Sequence, residues 1–135
     1  MTFTTDQFRL AGKVAIVTGA GGRGNSIGRA YAVGLANAGA SVVVADINEA
    51  GAKAVADEIN AAGGKAIGVR VDITDPASAR AMAAAATAAF GGVDILVNNA
   101  ALMAELGMLH VADVALEEWN RILEVNLTGA LICSQ

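Results

Sequence analysis

The sequence predicts an α/β domain with an open, doubly wound parallel sheet of four strands, in the expected order 3-2-1-4. Three observations carry that expectation. Four short, β-branched apolar runs alternate with helix-like segments. The runs are nearly continuous rather than alternating, the pattern of strands buried on both faces. The connections are short, and strand–helix–strand units of this kind cross over right-handedly and build such a sheet.

The first strand reads KVAIVT, Lys13–Thr18. A glycine-rich loop, TGAGGRGNSIGRAY over residues 18–31, leads into a first helix over 27–38. Ile27, Tyr31, Leu35 and Ala38 are predicted on its inward face, with Gly39 as its stop. The second strand is SVVVAD, Ser41–Asp46. A second helix follows over 49–62, with Asn48 as N-cap, Val55 and Ile59 inward and Gly63-Gly64 as the stop. The third strand is AIGVRVD, Ala66–Asp72. Asp75 is a natural N-cap for the third helix and Pro76 a natural first residue. That helix runs through an alanine-rich stretch to Phe90 and stops at Gly91-Gly92. The fourth strand is VDILVN, Val93–Asn98. A fourth helix begins near Leu116 without a side-chain cap, since Ala115 stands where Ser or Thr is expected. It carries Trp119, Ile122, Leu123 and Val125 towards the end of the chain, and Trp119 is predicted to pack.

A chain of 135 residues is long enough for one domain, residues 1–135, with a real core. The net charge is −4, and no basic stripe points to nucleic acid or an anionic membrane. The uncharged stretch Ala81–Val93 is too short to span a bilayer. The N-terminal MTFTTDQFRL lacks the apolar region of a secretory signal. The single cysteine, Cys133, cannot form an internal disulfide and reads as a packed thiol. Together these predict a soluble, reducing, cytoplasmic setting.

Gly19, Gly21 and Gly24 spell G-x-G-x-x-G literally, a weak signal alone. Here it follows a strand directly, and Asp46 ends the next strand, 18 residues after Gly28. That is near the spacing of a carboxylate that accepts hydrogen bonds from a ribose 2′-hydroxyl. Glycines let backbone N–H groups approach phosphate, and a helix N-terminus adds partial positive charge. The sequence therefore predicts a dinucleotide site of Rossmann type. The plain alternative is a glycine turn plus an Asp46 that caps the second helix. Asp46 favours NAD, since a carboxylate repels the extra phosphate of NADP. Arg23 points the other way, because it could pair with that phosphate. Asp46 carries more weight, being fixed at a strand end. Helical periodicity begins at Ile27, so Ser26, Ile27 and Gly28 form the helix end that faces phosphate. Gly19 makes the turn out of the first strand. Gly21 to Asn25 read as an insertion, within which Gly22→Ala is expected to be tolerated.

At this point the sequence resembles the short-chain dehydrogenase/reductase family over essentially its whole length. Thr18-Gly19 through Ile27-Gly28 is similar to that family's T-G-x-x-x-G-x-G. Asp72-Ile73 matches the family pair that contacts adenine. VDILVNNAA, Val93 to Ala101, resembles the N-N-A-G motif, which supports the sheet and contacts the cofactor through Asn99 and Ala100. EEWNRILEVNLTGA, Glu117 to Ala130, resembles the helix that carries a catalytic Asn, here Asn126. Each residue also has a plainer reading. Asp72 could cap a strand end. Asn98 and Asn99 could satisfy backbone groups where the strand leaves the sheet. Asn126, a poor helix former, could mark a local helix distortion rather than a proton relay. There are three departures from the family pattern. Gly19 and Gly28 stand nine apart, three more than in the pattern. Ser26 holds the middle-glycine position, and a Ser-Ile after a lengthened loop is similar to the enoyl-acyl-carrier-protein reductase branch. Ala101 replaces the last glycine of N-N-A-G.

The resemblance implies hydride transfer between a nicotinamide and an alcohol or carbonyl substrate, with Tyr as general acid/base, a Lys beside it and a Ser orienting the substrate oxygen. Neither a later strand bearing that Ser nor a Y-x-x-x-K helix occurs before Gln135. The only tyrosine, Tyr31, has no lysine four residues on, and Ser134 lies in the fourth helix. The chain is therefore expected to be the cofactor-binding, N-terminal half of such an enzyme, inactive alone, with its fourth strand at an open edge that invites association. The resemblance also implies a homo-oligomer. A non-catalytic nucleotide-binding or assembly module is the alternative. An S-adenosylmethionine-binding methyltransferase also uses a glycine loop and an acidic second strand end, but the N-N-A motif and Asn126 argue against it. Met103, Leu106, Met108 and Leu109 hint at an apolar pocket edge. No metal site is expected, and His110 is given no role.

Overall fold

The structure, a computed structural model, describes residues 5–22, 26–102 and 110–135. Its sheet contains strands β1 (Val14–Thr18), β2 (Ser41–Asp46), β3 (Lys65–Arg70) and β4 (Ile95–Val97), in the order β3-β2-β1-β4. All pairings are parallel, with Thr18 opposite Ala45, Val17 opposite Val97 and Asp46 opposite Arg70. The predicted topology is the observed one.

The helices are α1 (Ile27–Asn37), α2 (Glu49–Ala61), α3 (Pro76–Phe90), α4 (Leu116–Leu123) and α5 (Gly129–Ser134). Strand residues alternate between two cores. Ala15, Val17, Val42 and Val44 pack with Ala32 of α1 and Ala52, Val55, Ala56 and Ile59 of α2. Ile16, Val43 and Ala45 face the other way, towards Val71, Ile73, Met82, Ala86 and the half-buried Cys133. Strands with two covered faces need apolar residues at every position, which is why their runs are continuous. Burial of each Val or Ile contributes roughly 1.5–3 kcal/mol. Burial also pushes the Cys133 thiol pKa up, in keeping with a packed thiol.

The predicted caps are present. The Asn48 and Asp75 side chains accept from the N–H groups of Gly51 and Ala77; Ser26, which the sequence did not mark as a cap, accepts from that of Arg29, and Ala115 makes no side-chain cap. Three strands are shorter than predicted, β1 by one residue, since it begins at Val14 rather than Lys13. β3 ends at Arg70 because the Asp72 carboxylate draws the chain into a turn, accepting from the Thr74 N–H at 3.0 Å. β4 begins only at Ile95, because Asp94 is spent on β1. The Asp94 carboxylate accepts from the Val14 N–H at 2.8 Å and from Lys13 Nζ at 3.2 Å, which lowers its pKa.

Two helix faces are corrected. Ile27 and Tyr31 are 69% and 50% exposed, whereas Gly28 and Ala32 are buried. The inward stripe of α1 is thus built on Gly28 and Ala32, because the helix must bring Gly28 against the β1 turn. Trp119, predicted to pack, is 51% exposed, and Leu116, Leu127 and Leu131 are exposed on the same run of helix. The fourth helix is also interrupted. Glu124–Thr128 forms a π-helical turn between α4 and α5, in which the Gly129 N–H donates to the Glu124 carbonyl. No described helix is long and apolar enough to cross a membrane.

Candidate functional site

Because the four strands are parallel, their C-terminal ends share one edge of the sheet. Thr18-Gly19, Asp46, Asp72 and Asn99 all lie at that edge. Strand order reverses at β1, which has β2 on one side and β4 on the other. In open α/β sheets this crevice is where ligands bind.

Gly19 turns the chain out of β1 with φ at +67°, a left-handed conformation that glycine adopts without strain. A Cβ there would lie 2.6 Å from the Ala100 Cα. Gly28, one residue into α1, is packed still more tightly. Its Cβ would strike the Gly19 carbonyl oxygen and come within 2.5 Å of Asn99 Nδ2. The first N–H groups of a helix have no partner within it. Ser26 Oγ takes that of Arg29, and the N–H groups of Ile27 and Gly28 lie at the same helix end. This is anion-binding geometry.

Asp46 accepts two backbone hydrogen bonds, from Gly21 N–H to Oδ2 at 2.9 Å and from Asn48 N–H to Oδ1 at 2.8 Å. Gly21 is therefore not part of a loose insertion. It is buried, and a Cβ on it would sit 2.6 Å from the Ala52 amide nitrogen. Gly22 is less constrained, since its Cβ would meet Ser26 Cβ and Oγ at 3.0 Å. Arg23, with Gly24 and Asn25, lies outside the described residues, as do Met103, Leu106, Met108 and Leu109.

Asp72 forms the expected strand-end turn. Its Oδ1 accepts from Thr74 Oγ1 at 2.7 Å as well as from the Thr74 N–H, while its own N–H donates to Ser78 Oγ at 2.9 Å. The Thr74 hydroxyl and then the Thr74 N–H hold the Asp72 pKa below its ordinary 3.8. A lowered folded-state value stabilises the fold above the unfolded value, and that stability is lost as pH falls through the folded one. The stability gap between wild type and Asp72→Ala should therefore be constant at neutral pH and close below 3.8. Urea titrations across the acid range read this directly, and a gap that stays flat would mean the turn does not depend on the charge. The Ile73 side chain is buried in the core against Gly129.

Asn99 does the structural work expected of it. Its Nδ2 donates to the Thr18 and Gly19 carbonyls at 2.9 and 3.1 Å. The Thr18 hydroxyl, fully buried, donates to the Val97 carbonyl at 3.2 Å and accepts from the N–H groups of Asn99 and Ala100 at 3.1 and 3.2 Å. Asn98 Nδ2 donates to Ser134 Oγ at 3.1 Å, so that serine fastens α5 to the strand end. Asn126 stands inside the π-helical turn, so the plainer reading of a local distortion is what the backbone shows. Such turns are frequent at functional sites. Its carboxamide clasps Leu102, with Oδ1 accepting from the Leu102 N–H at 2.7 Å and Nδ2 donating to the Leu102 carbonyl at 3.3 Å.

The family model described as short chain dehydrogenase matches residues 13–135. The chain belongs to the short-chain dehydrogenase family. An uncharacterised oxidoreductase of Mycobacterium tuberculosis is 54% identical to this short-chain dehydrogenase chain over 123 residues, covering 91% of it and 48% of the relative. A short-chain type dehydrogenase/reductase of Mycobacterium marinum superposes with a TM-score of 0.87 at 40% identity, over 96% of this chain and 49% of that one. A 7α-hydroxysteroid dehydrogenase complexed with NADH and 7-oxo glycochenodeoxycholic acid also gives 0.87, at 42% identity, over 99% and 50%. The chain spans about half the length of the first curated relatives it matches. Thr18, Gly21 and Asn48, which hydrogen-bond at this strand-end edge, are the residues that sequence reasoning undervalued. Gly51, early in α2, was an available signal: a Cβ there would strike the Gly21 carbonyl. Among the described residues no cluster of His, Cys, Asp or Glu could hold a metal ion.

Proposed function

We propose that this chain is the cofactor-binding half of a short-chain dehydrogenase/reductase that uses NAD in preference to NADP and acts on a small alcohol or carbonyl substrate. The observation that carries the reading is the Asp46 carboxylate at the end of β2, 2.9 Å from the N–H of the glycine loop. A carboxylate held there accepts hydrogen bonds from ribose hydroxyls and repels a 2′-phosphate. The close packing around Gly19 and Gly28 supports a phosphate cradle at the α1 end, formed by Gly19, Ser26, Ile27 and Gly28. Asp72 and the Ile73 backbone would border the adenine. Asn99 and Ala100 would border the nicotinamide side, and Asn126 would act near the reacting centre through the main chain it organises. When bound, the dinucleotide supplies the hydride acceptor or donor. The NADH-bound structural relative supports a nicotinamide cofactor. The exposed Leu116, Trp119, Leu127 and Leu131 support association of copies through α4 and α5.

Calorimetric titration of the protein with NAD, NADP and S-adenosylmethionine tests this. NAD should bind most tightly, and the NADP arm reads the balance between Asp46 and Arg23. Tight S-adenosylmethionine binding without NAD binding would overturn the reading.

A further inference from the structure

Asp46 does not act alone, because its orientation is set by a neighbour two residues on. A terminal carboxylate torsion is broad and roughly two-fold in its preferences, so an unsupported Asp presents its oxygens in many directions. Here the two oxygens are taken by different segments, Oδ2 by the Gly21 N–H and Oδ1 by the Asn48 N–H. The Gly21 N–H stays on Oδ2 only while the Gly21 peptide keeps its place. Asn48 holds it there: its Nδ2 donates to the Gly21 carbonyl at 3.2 Å. The same carboxamide caps α2, with Oδ1 accepting from the Gly51 N–H at 3.2 Å. One side chain thus ties the glycine loop to the start of α2, and the carboxylate is locked between them.

Steric fit reinforces the lock. A Cβ on Gly51 would strike the Gly21 carbonyl oxygen and come within 2.6 Å of Asn48 Nδ2. A Cβ on Gly21 would come within 2.8 Å of Asp46 Cβ. The loop passes α2 at a distance that only two glycines permit.

We propose that Asn48 is a positioning residue for the choice of dinucleotide: by holding the Gly21 carbonyl it keeps the Gly21 N–H on Asp46, and so fixes the carboxylate where it receives a ribose 2′-hydroxyl. This rests on the reading that NAD binds at Asp46. An ionised carboxylate has about four acceptor positions, so the two backbone donors leave capacity for the ribose. Binding then needs no new ordering of the side chain, the ordinary source of affinity from preorganisation.

Asn48→Ser separates this role from helix capping. Serine caps a helix as well as asparagine does, is also neutral, and is too short to reach the Gly21 carbonyl. Gly51→Ala attacks the same contact from the other side and leaves Asn48 in place. The probes are NAD, NADP and the NAD analogue whose adenosine 2′-hydroxyl is replaced by hydrogen, each titrated by calorimetry. Wild type should prefer NAD over the analogue by about tenfold, the scale of one hydrogen bond to a charged group. In both variants that preference should shrink to about twofold or less, through weaker NAD binding with the affinity for the analogue nearly unchanged, and discrimination against NADP should narrow with it. Equal weakening of NAD and analogue, or an undiminished preference, would make Asn48 a merely structural cap and overturn the proposal. Wild-type protein that binds no NAD would instead overturn the cofactor reading on which it rests.

Discussion

Gly28→Val is expected to abolish dinucleotide binding, weakening NAD by about a hundredfold or more, as overpacking costs of 1–3 kcal/mol and above imply. The reason lies in what a side chain would meet. The Cβ alone would collide with the Gly19 carbonyl oxygen, approach Asn99 Nδ2 to 2.5 Å and the Ala20 Cα to 2.9 Å. Two of these are backbone atoms of the turn out of β1. The third is no flexible chain end, because Asn99 Nδ2 is bonded to the Thr18 and Gly19 carbonyls. Nothing can yield locally, so α1 must move away from the sheet, taking with it the helix end that faces phosphate. Gly22→Ala is the matched comparison. Among the described residues its Cβ would meet only Ser26 Cβ and Oγ, at 3.0 Å, so a shift of that capping serine by a few tenths of an ångström relieves it. The sequence alone suggests that this change is harmless. The contact with Ser26 sharpens the expectation to a small loss, within about threefold, since a cap disturbed rather than deleted costs less than ~1 kcal/mol. Parallel NAD titrations of the two variants decide the matter. Equal losses would place the phosphate on other glycines.

The sheet was legible in the sequence because it is made of large, local signals. Four apolar runs, three stops at glycine and two side-chain caps are each written in adjacent residues. Strand order followed from crossover handedness. Less legible was the direction of each helix. The buried face of α1 is made of Gly28 and Ala32, whose hydrophobic signal is too small to compete with Ile27 and Tyr31, yet close approach decides the packing. The candidate site shows the same division. Asp46 stood out because it ends a strand, and Asp72 and Asn99 because they fall in motifs that resemble the family's at strand ends. Gly21 read as surplus glycine, since its partners Asp46 and Asn48 lie far along the chain. Asn126 betrayed a distorted helix, but its hold on Leu102 spans 24 residues and leaves no local pattern. Thr18 looked like the last residue of a strand. Only the folded chain shows that its hydroxyl organises the joint between β1 and β4.

That joint is the source of the second large effect. Thr18→Val should destabilise the fold by about 2 kcal/mol, a large share of the stability of a domain stable by only about 5–15 kcal/mol. Valine matches threonine in shape, so no cavity forms and packing stays intact; only the hydroxyl is lost. That hydroxyl serves the Val97 carbonyl and the N–H groups of Asn99 and Ala100. Without it the Asn99 N–H still donates to the Val97 carbonyl at 3.0 Å, but the Ala100 N–H loses its acceptor; a buried backbone group left without a partner costs roughly 1–3 kcal/mol, less wherever water reaches it. The β1–β4 ladder itself is only three residue pairs long, and beyond it the Asn99 carboxamide on the Thr18 and Gly19 carbonyls shares the task of holding this strand end in register. The same bonds set the distance between Ala100 and Gly19, where a Cβ on the glycine would lie 2.6 Å from the Ala100 Cα. Loss of the hydroxyl should therefore loosen the cofactor edge as well as the fold. Thr18→Ser supplies the control: it keeps the three hydrogen bonds and removes a buried methyl, for a cost of about 1 kcal/mol. Urea denaturation of both variants separates polar from apolar contributions at one position. Were valine as stable as serine, packing would be holding the joint and the hydroxyl would be incidental. With valine the weaker by about 1 kcal/mol, the hydrogen bonds of one buried threonine hold the strand end on which the candidate site is built.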